Sequence, residues 1–210
     1  MGVTRAQPGT HAPPTNHLVA FHDEPAFLAA AAAETLGAAL ATGAAVGVIA
    51  TAPHRRAIAA ALCAEGFDLD RLGDADRYVE VDADSALTTL RPVGQLDPAR
   101  FDSFVLDLLG RLRSSGDGVC LYGELVALLW ADGDVEAALE LEDHWNRLIA
   151  QGPDFTLLCG YPMGAFADDG SAVTFREVTQ RHAGVMLRQY EGVVPADDAR
   201  RRGVLWRASR

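Results

Sequence analysis

No apolar run in this 210-residue sequence reaches about 18 residues, so no membrane-crossing helix is expected. The most apolar stretch, Phe27 to Ala45, is interrupted by Glu34, Thr42 and two glycines. Cysteine is scarce. Cys63, Cys120 and Cys159 have no CxxC spacing, which suits reduced thiols and argues against a disulfide framework. The first 16 residues lack the apolar core of a signal peptide and read as a polar arm with proline and threonine, so a cytoplasmic location is expected. Positive charge is also short: 18 Lys and Arg face 29 Asp and Glu, for a net charge of −11. A surface of that sign repels a phosphate backbone, so direct nucleic-acid binding is not expected.

What is present is an ordinary globular balance, 49% hydrophobic and 22% charged, in a chain long enough to bury a core without disulfides or metal. Three segments are expected: a disordered arm over 1–16, one domain over 17–190, and a basic tail over 191–210. The tail carries Arg200, Arg201, Arg202, Arg207 and Arg210 around Trp206, and reads either as solvated chain or as a docking peptide for an acidic partner.

Within the domain, apolar runs and helix signals alternate. His17 to Phe21, Ala45 to Ala50, Tyr78 to Val81, Val119 to Tyr122 and Phe155 to Tyr161 read as strands. Continuous rather than alternating hydrophobicity, as in Ala45 to Ala50, implies a strand covered on both faces. Between the strands lie helices. The first is capped by Asp23 and stopped at Gly43; another starts after Thr51; two more span about 84–91 and 98–113. A final pair is split at Asp132-Gly133-Asp134, with Ala138, Leu141, Trp145, Leu148 and Ile149 facing the sheet. Asp68, Asp70, Asp74 and Asp76 read as a solvated acidic loop, because a calcium loop's glycine and closing glutamate are missing. The fold class is therefore α/β, an open, mainly parallel sheet with helices on both faces.

In such a sheet ligands bind beyond the carboxyl ends of the strands, which selects His22 to Glu24, Thr51 to Arg56, Gly123-Glu124 and Tyr161 to Met163. A nucleoside triphosphatase would place Gly-x-x-x-x-Gly-Lys-Ser/Thr in the first of these, since glycine amides and a lysine must wrap the phosphates. The turn here reads Phe21-His22-Asp23-Glu24-Pro25-Ala26. A carboxylate about 4 Å from a phosphate charge costs about 4 kcal/mol at an effective dielectric of about 20. Triphosphate binding in the usual manner is excluded on that ground.

The remaining layout resembles the opening of RecA and clock-ATPase (KaiC-like) domains. More closely, the stretch from His17 to about His182 resembles the MEDS family, the methanogen/methylotroph DcmR sensory domain. The resemblance is carried by His17 with the Phe21-His22-Asp23-Glu24 turn, Tyr122-Gly123-Glu124 with Leu128-Leu129-Trp130, the helix from Ala138 to Trp145-Asn146, and Leu158-Cys159-Gly160-Tyr161-Pro162. The chain departs from the family at His22, where tyrosine is commoner, and at Arg181-His182-Ala183, where a His-Ser-His would stand. The resemblance implies a RecA-like relative without a phosphate loop, used in signalling, with small hydrocarbon derivatives as ligands.

Seven residues are the candidate ligand site: His17, His22, Glu124, Trp130, Cys159, Tyr161 and His182. Five of them have a plainer reading. Glu124 could simply serve a helix start, Trp130 and Cys159 could be core, and His17 and His182 ordinary strand and helix residues. Tyr161 combines an aromatic body with one hydroxyl, which suits a small-ligand pocket. A metal site from His17, Cys159 and His182 is chemically open, but their scattered positions, without CxxC or HxxxH spacing, set it aside. No cofactor is expected. An enzyme would need a nucleophile with a base; Cys159 beside His17 or His182 is the pairing available, and no motif supports it. The expected function is a sensory domain that binds a small organic molecule and signals through a regulatory protein partner. The alternative is an interaction module with a vestigial pocket. A homodimer is compatible with either.

Overall fold

The protein's computed structural model describes residues 16–22, 25–152, 154–163, 171–187 and 193–195. Residues 1–15 of the arm expected over 1–16, the Asp23-Glu24 turn and the part of the basic tail beyond 195 lie outside the described residues.

Among the described residues seven strands form one sheet: β1 (His17–His22), β2 (Ala45–Ala50), β3 (Tyr78–Asp82), β4 (Val119–Gly123), β5 (Thr156–Pro162), β6 (Gly184–Leu187) and β7 (Val193–Pro195), in the order β3-β2-β4-β5-β1-β6-β7. All neighbours are parallel except β6 and β7, which pair antiparallel at one edge. The interior strands β2 and β4 are buried at every position, as their unbroken apolar runs require.

Helices cover both faces. On one lie α1 (Pro25–Ala41), α2 (Ala52–Ala64) and α3 (Leu69–Asp74), packing Leu28, Leu36, Ile58 and Leu62 on Val46, Val48, Tyr122 and Leu158. On the other lie α4 (Ala83–Leu90), α5 (Pro98–Arg113), α6 (Leu125–Ala131), α7 (Val135–Ala150) and α8 (Ser171–Gln180), over Val19, Phe21, Ile49, Leu121 and Leu157. No helix among the described residues is long and apolar enough to cross a membrane.

Local chemistry sets the boundaries. Gly43 ends α1 with φ 98°, a conformation glycine adopts without steric cost. Asp97 caps α5 by accepting from the Ala99 and Arg100 amides, with Pro98 in the first turn where no amide is needed. Gly133 (φ 78°) separates α6 from α7, and Asp134 caps α7 through the Ala137 amide.

The acidic stretch read as a loop is instead the short helix α3. Asp68 accepts from the Arg71 amide at 3.1 Å, and Leu69 and Leu72 pack on the core, so one of the acids is a cap. The sequence reading also stops at β5. The short strands β6 and β7 carry too short an apolar signal to mark themselves.

Candidate functional site

The seven candidate residues fall into two groups. At the carboxyl ends of the strands, His22 ends β1 and Glu124 immediately follows β4. The Glu124 side chain does not cap α6, the helix it opens. It reaches across to α2 instead, accepting from the Thr51 amide at that helix's start and from His54 Nδ1 at 2.6 Å. The Tyr122 hydroxyl approaches the same carboxylate at 3.3 Å. A carboxylate on free amides at a helix N-terminus meets the positive end of the helix dipole. Burial alone would raise the Glu124 carboxyl, but the hydrogen bonds from His54 and Thr51 outweigh it and hold it below its ordinary value. The same bond from Glu124 raises the His54 imidazole against the effect of burial. The rings of His22 and His54 meet edge to face, 6.1 Å between centroids. His54 and Thr51 were not singled out as site residues, although the strand-end rule had selected the segment that holds them.

The second group is sealed in the core on the α7 and α8 side. His17, at the start of β1, lies 3.4 Å from Cys159 Sγ in β5 (Nε2 to Sγ) and 3.2 Å from Glu142 Oε2 in α7. Cys159 Sγ is 3.6 Å from Glu142 Oε2. His182, just after α8, places Nε2 3.4 Å from Glu142 Oε1, and its ring lies 4.1 Å from that of His17. Tyr161 donates its hydroxyl to Glu142 Oε1 at 2.8 Å, so it faces this interior cluster and not the strand-end crevice. Trp130 is half-buried and edge-on to Tyr161, 5.7 Å between centroids, which makes it a wall of the same core.

His17, Glu142, Cys159 and His182 are all buried. Burial would raise the Glu142 carboxyl, but His182, His17 and the Tyr161 hydroxyl beside it hold it well below its ordinary value. Burial, aided by His17, pushes the His182 imidazole down to about 4. Burial and the Glu142 charge push the Cys159 thiol well up, the opposite of an activated nucleophile. One donor atom from each of His17, Glu142, Cys159 and His182 lies within 4.8 Å of all the others, a constellation that could hold a metal ion. Residues separated by long stretches of sequence are thus neighbours.

Glu142 was missed, and a signal for it existed. It falls between Leu141 and Trp145 on the sheet-facing side of α7, an acid where apolar spacing calls for a hydrophobe.

An open parallel sheet covered on both faces, with a histidine–glutamate pair over its strand ends and a second titratable cluster in its core, defines an α/β domain organised around chemistry-bearing side chains. The chain belongs to the MEDS family, the methanogen/methylotroph, DcmR sensory domain, whose family model matches residues 16–183. That span includes both groups, from His17 to His182. The domain's role is accordingly sensory and regulatory. No curated protein matches the sequence.

Proposed function

We propose that the domain senses a small organic molecule over the carboxyl ends of β1, β2 and β4, signals through a regulatory protein partner, and does not hydrolyse ATP. The observation that carries this reading is the His54–Glu124 pair, 2.6 Å apart at the position where open α/β sheets bind ligands. An ionised carboxylate and an imidazole beside a second imidazole recognise one polar group, such as a hydroxyl or a carboxylic acid, on a compact apolar body. Phosphates are disfavoured there, because the Phe21-to-Ala26 turn supplies no glycine or lysine and Glu124 adds a further negative charge. Drawing Glu124 toward a ligand would loosen its hold on the first turn of α2, which packs on α1. That movement is the simplest signal available to a partner.

Thermal-shift screening with small alcohols, carboxylic acids, halogenated hydrocarbons and nucleotides tests the idea. An organic ligand should raise the midpoint through binding linkage, and Glu124→Gln or His54→Ala should weaken it about tenfold or more. A screen in which none of these compounds moves the midpoint would leave the domain an interaction module. ATP turnover that Glu124→Gln abolishes would overturn the reading of the first turn.

A further inference from the structure

We propose that His17, Glu142, Cys159 and His182 form a buried site for a divalent transition metal of the zinc class, which clamps β1, β5, α7 and the segment after α8 together. The site is separate from the strand-end crevice and does not rest on the function proposed for it.

The donor set is two imidazoles, a thiol and a carboxylate, one from each of four elements, all buried. That mixture suits zinc or cobalt far better than magnesium or calcium, which want oxygen alone. A tetrahedral ion with bonds of about 2.0–2.3 Å sets its ligands about 3.3–3.8 Å apart. Three separations here are 3.2 Å (His17 to Glu142), 3.4 Å (His17 to Cys159) and 3.6 Å (Cys159 to Glu142); His182 is 3.4 Å from the other Glu142 oxygen, and all four donor atoms lie within 4.8 Å of one another, so an ion would draw His182 inward.

The outer hydrogen bonds aim the donors inward. Asn146 donates its amide to the Arg181 carbonyl at 3.0 Å, which turns its oxygen toward His17. His17 Nδ1–H therefore donates to Asn146 Oδ1 at 2.8 Å. His182 Nδ1–H donates to the Val178 carbonyl at 2.8 Å. Both imidazoles thus aim Nε2 at the centre, and His182 Nε2 makes no hydrogen bond. Two imidazole nitrogens, a carboxylate and the Cys159 sulfur converge there, and the buried His182 Nε2 is left without a hydrogen-bond partner, which is costly and which a cation relieves. Metal-bound histidines are held in this way, by the far ring nitrogen donating to a carbonyl. With all four ligands from protein and no open position, the ion is structural.

The full chain, purified without chelator, should carry one zinc ion, or take up one cobalt ion after stripping, with tetrahedral visible bands and a thiolate-to-cobalt band in the near ultraviolet. Cys159→Ser should lose the thiolate band, and Glu142→Gln, which keeps the side chain's volume, should bind at least about tenfold more weakly. Asn146→Ala should weaken zinc about 10–100-fold while keeping the cobalt spectrum, since Asn146 acts by positioning His17. Cys120→Ala, a buried thiol on the other sheet face, should leave binding unchanged. The proposal fails if stripped wild-type chain takes up neither zinc nor cobalt stoichiometrically, or if its cobalt form lacks the thiolate band. It fails equally if Cys120→Ala removes the metal and Cys159→Ser does not. Should a variant not fold, wild-type stoichiometry and spectrum still decide.

Discussion

Each member of the His54–Glu124 pair stabilises the charged form of the other, so their contribution to stability is confined to a pH window. His54 is raised in the folded protein, so its share is complete below its ordinary 6.5 and is lost as pH climbs through the raised value. Glu124 is lowered, so its share is complete above its ordinary 4.5 and is lost as pH falls through the lowered value. The stability gap between wild type and Glu124→Gln should therefore be widest between pH 4.5 and 6.5 and narrow on either side. Solvent reaches His54, which limits the ionic part of that gap to about 1 kcal/mol. Denaturant unfolding across pH measures it. A gap that stays level as pH rises from about 6 to about 9 would show that the imidazolium contributes nothing.

At the scale of elements, Gly160 decides how β4 and β5 fit together. A Cβ there would lie 2.4 Å from the Tyr122 hydroxyl and 3.0 Å from Leu28 Cδ1. Tyr122 is fully buried and its hydroxyl approaches Glu124, so it has little room to retreat. Gly160→Ala should cost about 1–3 kcal/mol through overpacking. It should also shift the His54 titration measured by NMR, because Tyr122 would be pushed against Glu124. At the head of α7, Asp134→Ala removes both the cap and the ion pair with Arg91, and should lower stability by about 1–2 kcal/mol in thermal or denaturant unfolding. Such local devices are what a sequence displays well: apolar runs for β2, β4 and β5, Asp-Pro and Gly-Asp signals for α5 and α7. Strand order is not displayed, because β1 finds its place between β5 and β6 only when helices pack on both faces. The core cluster was half legible for the same reason. His17, Cys159 and His182 stand out as unusual residues, whereas Glu142 and Asn146 hide inside a helix whose apolar stripe dominates the pattern. His54 hides in another way, since only the fold brings α2 up to the residue after β4.

At the scale of the whole molecule, the described residues form two cores divided by one sheet, and they are not alike. The α1–α3 side is aliphatic and alanine-rich around Tyr122, whereas the α4–α8 side encloses the four-residue donor cluster. An ion held there would stabilise only the folded state, by about 2.7 kcal/mol at a hundredfold excess over its dissociation constant. In a chain of this length that corresponds to about 5–10 °C in the unfolding midpoint. Adding a strong chelator to the metal-loaded protein should lower the midpoint by that amount, and Cys159→Ser should show little further drop. The loss should also be regional. Hydrogen exchange should quicken in β1, β5, α7 and α8, which supply or adjoin the ligands, while β2 and β3, held by the aliphatic side and by each other, keep their protection. Uniform quickening across the sheet would mean that the chelator acts on global stability alone. No change in either measurement would mean that the cluster holds no ion, and that the α4–α8 core bears the unpartnered His182 Nε2 unaided.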